Sequence, residues 1–214
     1  MAKLARFANS QSRQACVAMQ RVFRYLSGHD DLGITFHKEE CLELVGYVDS
    51  DFAGDRSSGI AGKSTTGFLF KLGEKSGAIS ARSKLQSTTA TSTQHAEYIA
   101  LFEAVKEGIY IRSILRDIGL LKTPEPATVI FEDNSACLQL AHNPVHHDER
   151  NKHYEVKLHY IREMVEEGSI KVVKISSEEN IADLLTKAVG PNILGHLVDG
   201  LMGVPGYCSS ERAC

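Results

Sequence analysis

The sequence predicts an α/β fold: a five-stranded mixed sheet, three antiparallel strands first, with helices packed on it. Three observations predict it. Extended patterns follow one another closely through 33–50, 65–72 and 77–82. A long helical pattern, 94–118, then replaces them. Beyond it, two apolar runs, 127–132 and 169–175, alternate with further helical periodicity.

Ahead of the sheet, residues 13–27 read as an amphipathic helix. Ala15, Met19, Val22 and Leu26 fall on one face, and Gly28 stops it. GITFHK and then CLELVGYVDSD make the first extended stretch. TTGFLFKL and GAISAR follow, with Gly73 and Gly77 bounding a tight connection. The hydroxyl-rich SKLQSTTATST leads into the long helix, where Ala96, Ala100, Ala104, Ile111, Leu115 and Ile118 can face a core before Gly119. ATVIFE is apolar at nearly every position, the pattern of a strand buried on both faces. Asn134 is suited to cap a short helix that ends before Asn143-Pro144. Residues 142–153 are polar and His-rich. Tyr154, Leu158, Ile161 and Val165 mark another helix, closed by Gly168. SIKVVKI is the fifth strand. Ser176-x-x-Glu179 reads as a capping box opening a last core helix around Ile181, Leu184 and Leu185, which Gly190-Pro191 breaks. A weak amphipathic segment, 193–202, lies in the tail. The expected division is 1–30, a helix belonging to an upstream region; 31–190, the α/β domain; and 191–214, a tail with a short helix.

With 214 residues, 43% apolar and 24% charged, the chain has the composition of a globular domain with a real core. No stretch approaches the roughly 20 apolar residues that span a bilayer. The N-terminal residues lack the apolar run of a secretory signal. The five cysteines are irregularly spaced and form no CxxC, which argues for reduced thiols rather than a disulfide or zinc framework. The expectation is an intracellular, soluble protein with no membrane partner. Residues 1–28 carry Lys3, Arg6, Arg13, Arg21 and Arg24 and no acid, so the remainder stands at −8 within the net −3. A self-sufficient nucleic-acid binder usually shows a basic surface. This balance implies that a partner domain supplies phosphate contacts, or that the chain does something else.

Four acids stand at positions of one kind. Asp49 ends the first meander strand, Glu97 lies early in the long helix, Asp133 ends the buried fourth strand, and Asp183 sits in the last helix. Ends of neighbouring strands and the start of a helix over them can converge on one sheet edge. Carboxylates gathered there repel, burial raises their pKa values, and divalent cations relieve the repulsion. Oxygen donors suit Mg²⁺ or Mn²⁺, and a pair of such ions serves phosphodiester cleavage. The competing reading of such acids is caps and turns.

GYVDSDFAGD, STQHAEYIAL, FEDNSACLQLAHNPV, RNKHYEVKLHYIRE and ENIADLLTK, in this order, resemble the ribonuclease H region of copia-type retrotransposon Pol polyproteins. LARFANSQSRQACVAMQRVFRYLSG resembles the end of the reverse transcriptase and its connection, so the resemblance covers nearly the whole chain. It implies the ribonuclease H-like fold and an endoribonuclease that cleaves the RNA strand of RNA–DNA hybrids with two divalent ions, Mg²⁺ or Mn²⁺. It puts the catalytic, metal-holding acids at Asp49, Glu97, Asp133 and Asp183, the four that strand ends select. In-line attack of water on the RNA phosphate would leave a 3′-hydroxyl and a 5′-phosphate. The implied partners are the hybrid and the polymerase domain of the same polyprotein. The implied location is cytoplasmic, in virus-like particles, and nuclear. The rival reading is a catalytically inactive, retrotransposon-derived binding module.

Two departures from the family pattern stand out. Gln94-His95 replaces the usual Thr-Glu before the catalytic Ala-Glu. The connection between the fifth strand and the final acid is SSEEN, without the His-bearing loop of many ribonucleases H, and His153 in KHYEV is the substitute by composition. Ser92 and Thr93, at a helix start, are candidates for substrate phosphates. Asn134 is a candidate for the ribose 2′-hydroxyl besides its cap role. Asp51 and Asp55 read as turn acids. Glu132, preceding Asp133, is expected to point to the opposite side of its strand. GIAGKST resembles a P-loop, but Ser57 stands where its first glycine belongs and a strand pattern follows, so a turn is expected. His142, His146, His147, His153 and His159 lack a nearby thiolate and read as solvated rather than zinc-binding.

Overall fold

The structure, a computed structural model, describes the chain except residues 1, 6, 8, 10–11, 39–41, 55–61, 122, 143–151 and 206–214, and except the side chains of 2–3 and 152–155. The chain forms two compact units, Met1–Gly33 and Ile34–Cys214. The first holds α1 (Ala2–Ala5) and α2 (Arg13–Ser27). Ser12 caps α2 by accepting the Ala15 N–H at 3.1 Å, and the Gly28 N–H closes it on the Arg24 carbonyl at 3.1 Å. Phe23 and Leu26 of α2 are exposed.

The second unit runs β1 (Leu44–Asp51), β2 (Thr65–Leu72), β3 (Ala78–Leu85), α3 (Thr93–Asp117), β4 (Thr128–Glu132), α4 (Ser135–His142), α5 (Lys152–Glu166), β5 (Ile170–Lys174), α6 (Asp183–Thr186) and α7 (Pro191–Met202). The sheet order is β3-β2-β1-β4-β5; β1, β2 and β3 are antiparallel neighbours, while β4 runs parallel to β1 and β5 parallel to β4. This is the mixed five-stranded sheet that the sequence predicts.

Strand pleating divides the core in two. On one face Val48, Phe68, Phe70, Ile130 and Val172 meet Leu101, Ala104 and Val105 of α3 and Ile161 of α5. The small residues of α3 bring its backbone close: a Cβ at Gly108 would stand 3.2 Å from the Phe70 ring. On the other face Tyr47, Leu69 and Phe131 meet Ile181, Ala182 and Leu197. The edge strand β3 carries exposed Arg82 and Lys84, charges that discourage further pairing.

Three expectations are corrected. Residues 33–37 form no strand; instead the Thr35 N–H donates to the Met202 carbonyl and the Gly77 N–H to the Thr35 carbonyl, each at 2.8 Å. This ties the end of α7 to the β2–β3 connection. Fully buried Lys71 adds to the tie, its Nζ donating to the Gly200 carbonyl at 2.8 Å. Secondly, Ser176 and Glu179 do not open a helix. Residues 177–179 turn, and α6 begins only at Asp183. The cause is Asn180, whose Nδ2 donates to the Val48 carbonyl at 2.8 Å and draws the chain onto β1 before a helix can start. Thirdly, β3 runs on to Leu85, three residues beyond the expected end. The P-loop-like segment and Asp55 lie partly or wholly outside the described residues, as do His146 and His147. His142 makes a structural contact, its Nε2 lying 3.1 Å from the Val172 carbonyl oxygen.

Candidate active site

Parallel neighbours end on the same side of a sheet, so β1 and β4 deliver their C-terminal ends together. Asp49 lies near the end of β1, and Asp133 directly follows β4. Asp49 shares the face of Val45 and Tyr47, which α6 covers. Glu132 follows Ile130 onto the face covered by α3, where Glu97 lies. Asp133, past the last strand residue, serves both faces. Carboxylate oxygens of Asp49, Asp133 and Asp183 lie within 4.8 Å of one another, and so do those of Glu97, Glu132 and Asp133. All four sequence-predicted acids are thus brought to one sheet edge.

The expectation that Glu132 points to the opposite side of the strand from Asp133 is corrected: its fully buried carboxylate lies on the face of Glu97 and within 4.8 Å of the Asp133 carboxylate. Asp51, expected in a turn, is instead the last residue of β1, paired with Thr65, and a Cβ on Gly54 would collide with its carboxylate.

Close packing sets these positions. Gly67 pairs with Asp49 across β1 and β2. A Cβ there would stand 2.6 Å from Thr186 Cγ2 and 2.9 Å from Leu185 Cβ, so only glycine lets α6 lie directly on the strand. That contact delivers Thr186, whose hydroxyl donates to Asp49 Oδ2, and Asp183 beside it. Asn180, fully buried, fixes the preceding turn: its Oδ1 accepts the Ala182 N–H at 3.2 Å. Ser177 donates to Asp133 Oδ2 at 2.7 Å. Asn134 caps α4, its Oδ1 accepting the Ala136 and Cys137 N–H groups at 3.0 Å, while its own N–H donates to Glu132 Oε1 at 2.9 Å. Ser92 caps α3 through the His95 N–H at 3.1 Å, and exposed Thr93 is the first helical residue. His153 lies in α5, with its side chain outside the described residues.

Burial raises the acids. Burial pushes Glu97 from 4.5 up to about 10, with Glu132, Asp49 and Asp133 adding repulsion. It raises Asp183 from 3.8 to about 6 against the opposing hydrogen bond from Lys187. Asp49 is raised by burial, opposed by Thr186 and Lys187, and Glu132 is raised well above its ordinary value by burial. Glu97 Oε2 and Glu132 Oε2 are buried and have no hydrogen-bond partner among the described residues. Lys187 faces the carboxylates: its Nζ lies 2.8 Å from Asp183 Oδ1 and 3.6 Å from Asp49 Oδ1.

The departure Gln94-His95 has a local use. His95 Nδ1 accepts the Thr91 N–H at 3.0 Å, and burial, then Lys157, lowers its pKa to about 4, so the ring is neutral. Between β2, β3, α3 and α5 runs a groove lined by Thr66, Arg82, Lys84, Gln86, Glu103 and Lys157, three cations with one acid among them. Sequence reasoning passes over Gly67, Asn180 and Lys187. A glycine inside an otherwise apolar strand marks close backbone approach, and a lysine four residues after Asp183 marks a helical ion pair; both signals are present. For Asn180 no comparable local signal exists.

No family model matches the chain. It is 40% identical over 189 residues to the retrovirus-related Pol polyprotein from transposon TNT 1-94 of Nicotiana tabacum, covering 88% of the chain and 14% of the polyprotein. It is 35% identical over 185 residues to that from transposon RE1 of Arabidopsis thaliana, covering 86% of the chain and 12% of the polyprotein. The chain therefore spans a small part of the length of these relatives. Among solved structures it is similar to LC11-RNase H1, isolated from compost, with a TM-score of 0.50 and 19% identity over 68% of this chain and 93% of that one. The chain belongs to the family of retrovirus-related transposon Pol polyproteins, matching a segment of them, and its mixed sheet with packed helices is the ribonuclease H fold.

Proposed function

We propose that the chain is an endoribonuclease of the ribonuclease H type, cutting the RNA strand of RNA–DNA hybrids, with Asp49, Glu97, Asp133 and Asp183 holding two divalent cations. The observation that carries this reading is the sharing of Asp133 between two triads of ligand atoms. One carboxylate common to two oxygen-donor groups suits two cations side by side. The residues fit such ions: the donors are all carboxylate oxygens, and two buried ones lack partners among the described residues. Mg²⁺ or Mn²⁺ is the matching class. When bound, such ions supply Lewis-acid stabilisation of charge on the phosphate and lower the pKa of water.

The chain's own contribution is positioning. Gly67 and Thr186 hold Asp183 and Asp49 together, Ser177 orients Asp133, and the Asn134 N–H orients Glu132. Ser92 and Thr93 are assigned to strand phosphates, Asn134 to a ribose 2′-hydroxyl, and His153 to substrate binding. The groove of Arg82, Lys84 and Lys157 supports a hybrid ligand, because its three cations outnumber the one acid, Glu103, and answer a phosphate backbone. The basic helix within 1–30 is assigned to the upstream polymerase connection, 31–190 to the nuclease and 191–214 to its tail; the site of action is intracellular. A labelled RNA–DNA hybrid, incubated with Mg²⁺ or Mn²⁺ and either the wild-type chain or Asp133→Asn, tests the proposal. Metal-dependent cutting of the RNA strand by wild type alone is expected. No signal above the variant would leave the inactive binding module as the better reading.

A further inference from the structure

Among the described residues, Lys187 presents a cation to the clustered carboxylates themselves. Its Nζ reaches both Asp183, at 2.8 Å, and Asp49, at 3.6 Å. Lys174, also nearby, donates instead to the backbone carbonyl of Asp133. Lys187 is well positioned to leave. Its side chain is 40% exposed, against 2% for Asp49 and 8% for Asp183. It stands just past the last residue of α6, so its stem is not locked into the core. The two acids it bridges are two of the three whose oxygens form a cation-sized triad with Asp133.

We propose that Lys187 is a built-in counter-cation for the Asp49–Asp183 pair, which a divalent ion entering the Asp49–Asp133–Asp183 triad must displace. The proposal rests on the metal-binding reading above. An ammonium and a divalent ion cannot share the same carboxylate oxygens, because at such distances two cations repel strongly in a poorly solvated site. Without metal, the ammonium lowers the repulsion between two buried acids and stabilises the fold. With metal, it competes. The other triad, Glu97–Glu132–Asp133, makes no ion pair with Lys187, so the two triads should differ in affinity, and only one of them should respond to this side chain.

The full chain is titrated with Mn²⁺ alone, without nucleic acid, following free Mn²⁺ by electron paramagnetic resonance. Lys187→Met is compared with wild type and with the charge-preserving Lys187→Arg. Lys187→Met should bind its tighter Mn²⁺ at least about tenfold more strongly than wild type, the loss of one charge interaction of about 1.4 kcal/mol or more. Its metal-free unfolding midpoint should fall, and Lys187→Arg should track wild type in both. Equal Mn²⁺ affinity in Lys187→Met and wild type overturns the competition while leaving the metal site intact. No Mn²⁺ binding by either overturns the metal-binding reading and this proposal with it. A measurement on wild type stands even where the methionine variant fails to fold. Acetylation of Lys187, followed by mass spectrometry, should accelerate severalfold when Mn²⁺ is added; an unchanged or slower rate overturns the proposal.

Discussion

A Gly67→Ala substitution adds one methyl group where β2 passes beneath α6. Its Cβ would stand 2.6 Å from Thr186 Cγ2, 2.9 Å from Leu185 Cβ and 3.1 Å from the Ala182 carbonyl oxygen. Carbon atoms pack comfortably at about 3.5–4.0 Å, so α6 must withdraw by roughly 1 Å. Glycine inside a strand ordinarily weakens it by about 0.5–1 kcal/mol relative to alanine, so where space allows the substitution stabilises. Here overpacking, about 1–3 kcal/mol, opposes and outweighs that gain. A net loss of about 1–2 kcal/mol corresponds, for a domain of this size, to a fall of about 2–8 °C in the unfolding midpoint. Gly195 is the internal control, since a Cβ there meets nothing within 4 Å. Gly195→Ala, in the middle of α7, should gain about 0.8–1 kcal/mol from helix propensity. Thermal unfolding by circular dichroism reads both. Hybrid cleavage should fall on the order of 100-fold in Gly67→Ala, because Thr186 and Asp183 move away from Asp49 together. If Gly67→Ala unfolds at or above the wild-type temperature while Gly195→Ala is stabilised, the packing account of the site is wrong.

Two further predictions concern the acids. Asp49, Glu97, Glu132 and Asp183 all have folded-state values above their ordinary ones, Glu97 at about 10 and Asp183 at about 6. The folded state therefore holds protons that the unfolded chain releases, and stability is lost as pH rises from the ordinary carboxylate range, about 4, toward those values. The metal-free unfolding midpoint should decline between about pH 5 and 8, and saturating Mg²⁺ should flatten the decline; a metal-free midpoint that climbs over this range contradicts the electrostatic description. Glu132→Gln removes the cost of burying an ionisable carboxyl, which must take up a proton on folding, but retains an acceptor for the Asn134 N–H. It should raise the metal-free midpoint and weaken the second Mn²⁺ by about tenfold or more, one charge interaction. An unchanged Mn²⁺ isotherm would show that Glu132 serves only to cap the start of α4.

Much of the fold is legible in the residues because local signals agree. The alternation in TTGFLFKL, the alanine face of α3 and the Ser92 and Asn134 caps each specify an element that the structure contains. The four acids are legible because parallel strands must end together. The failures are of a different kind. The capping-box pattern at Ser176 is locally sound, yet the long-range hydrogen bond from Asn180 to β1 overrides it. Alternation separates Glu132 from Asp133, but Asp133 lies past the last strand residue and α3 packs over Glu132, so the two meet; alternation alone carries no such information. No local signal marks Lys71 for burial; it depends on the Gly200 carbonyl of α7, 129 residues away in sequence.

In the function proposed above, Asp133 stands between two cations. Crystals of the chain soaked in Mn²⁺ and measured at the manganese absorption edge locate the ions without reference to activity. Two anomalous peaks are expected, one among Asp49, Asp133 and Asp183 and one among Glu97, Glu132 and Asp133, with Lys187 turned away from the first. Peaks elsewhere on the surface, or none at this sheet edge at millimolar Mn²⁺, would contradict the account.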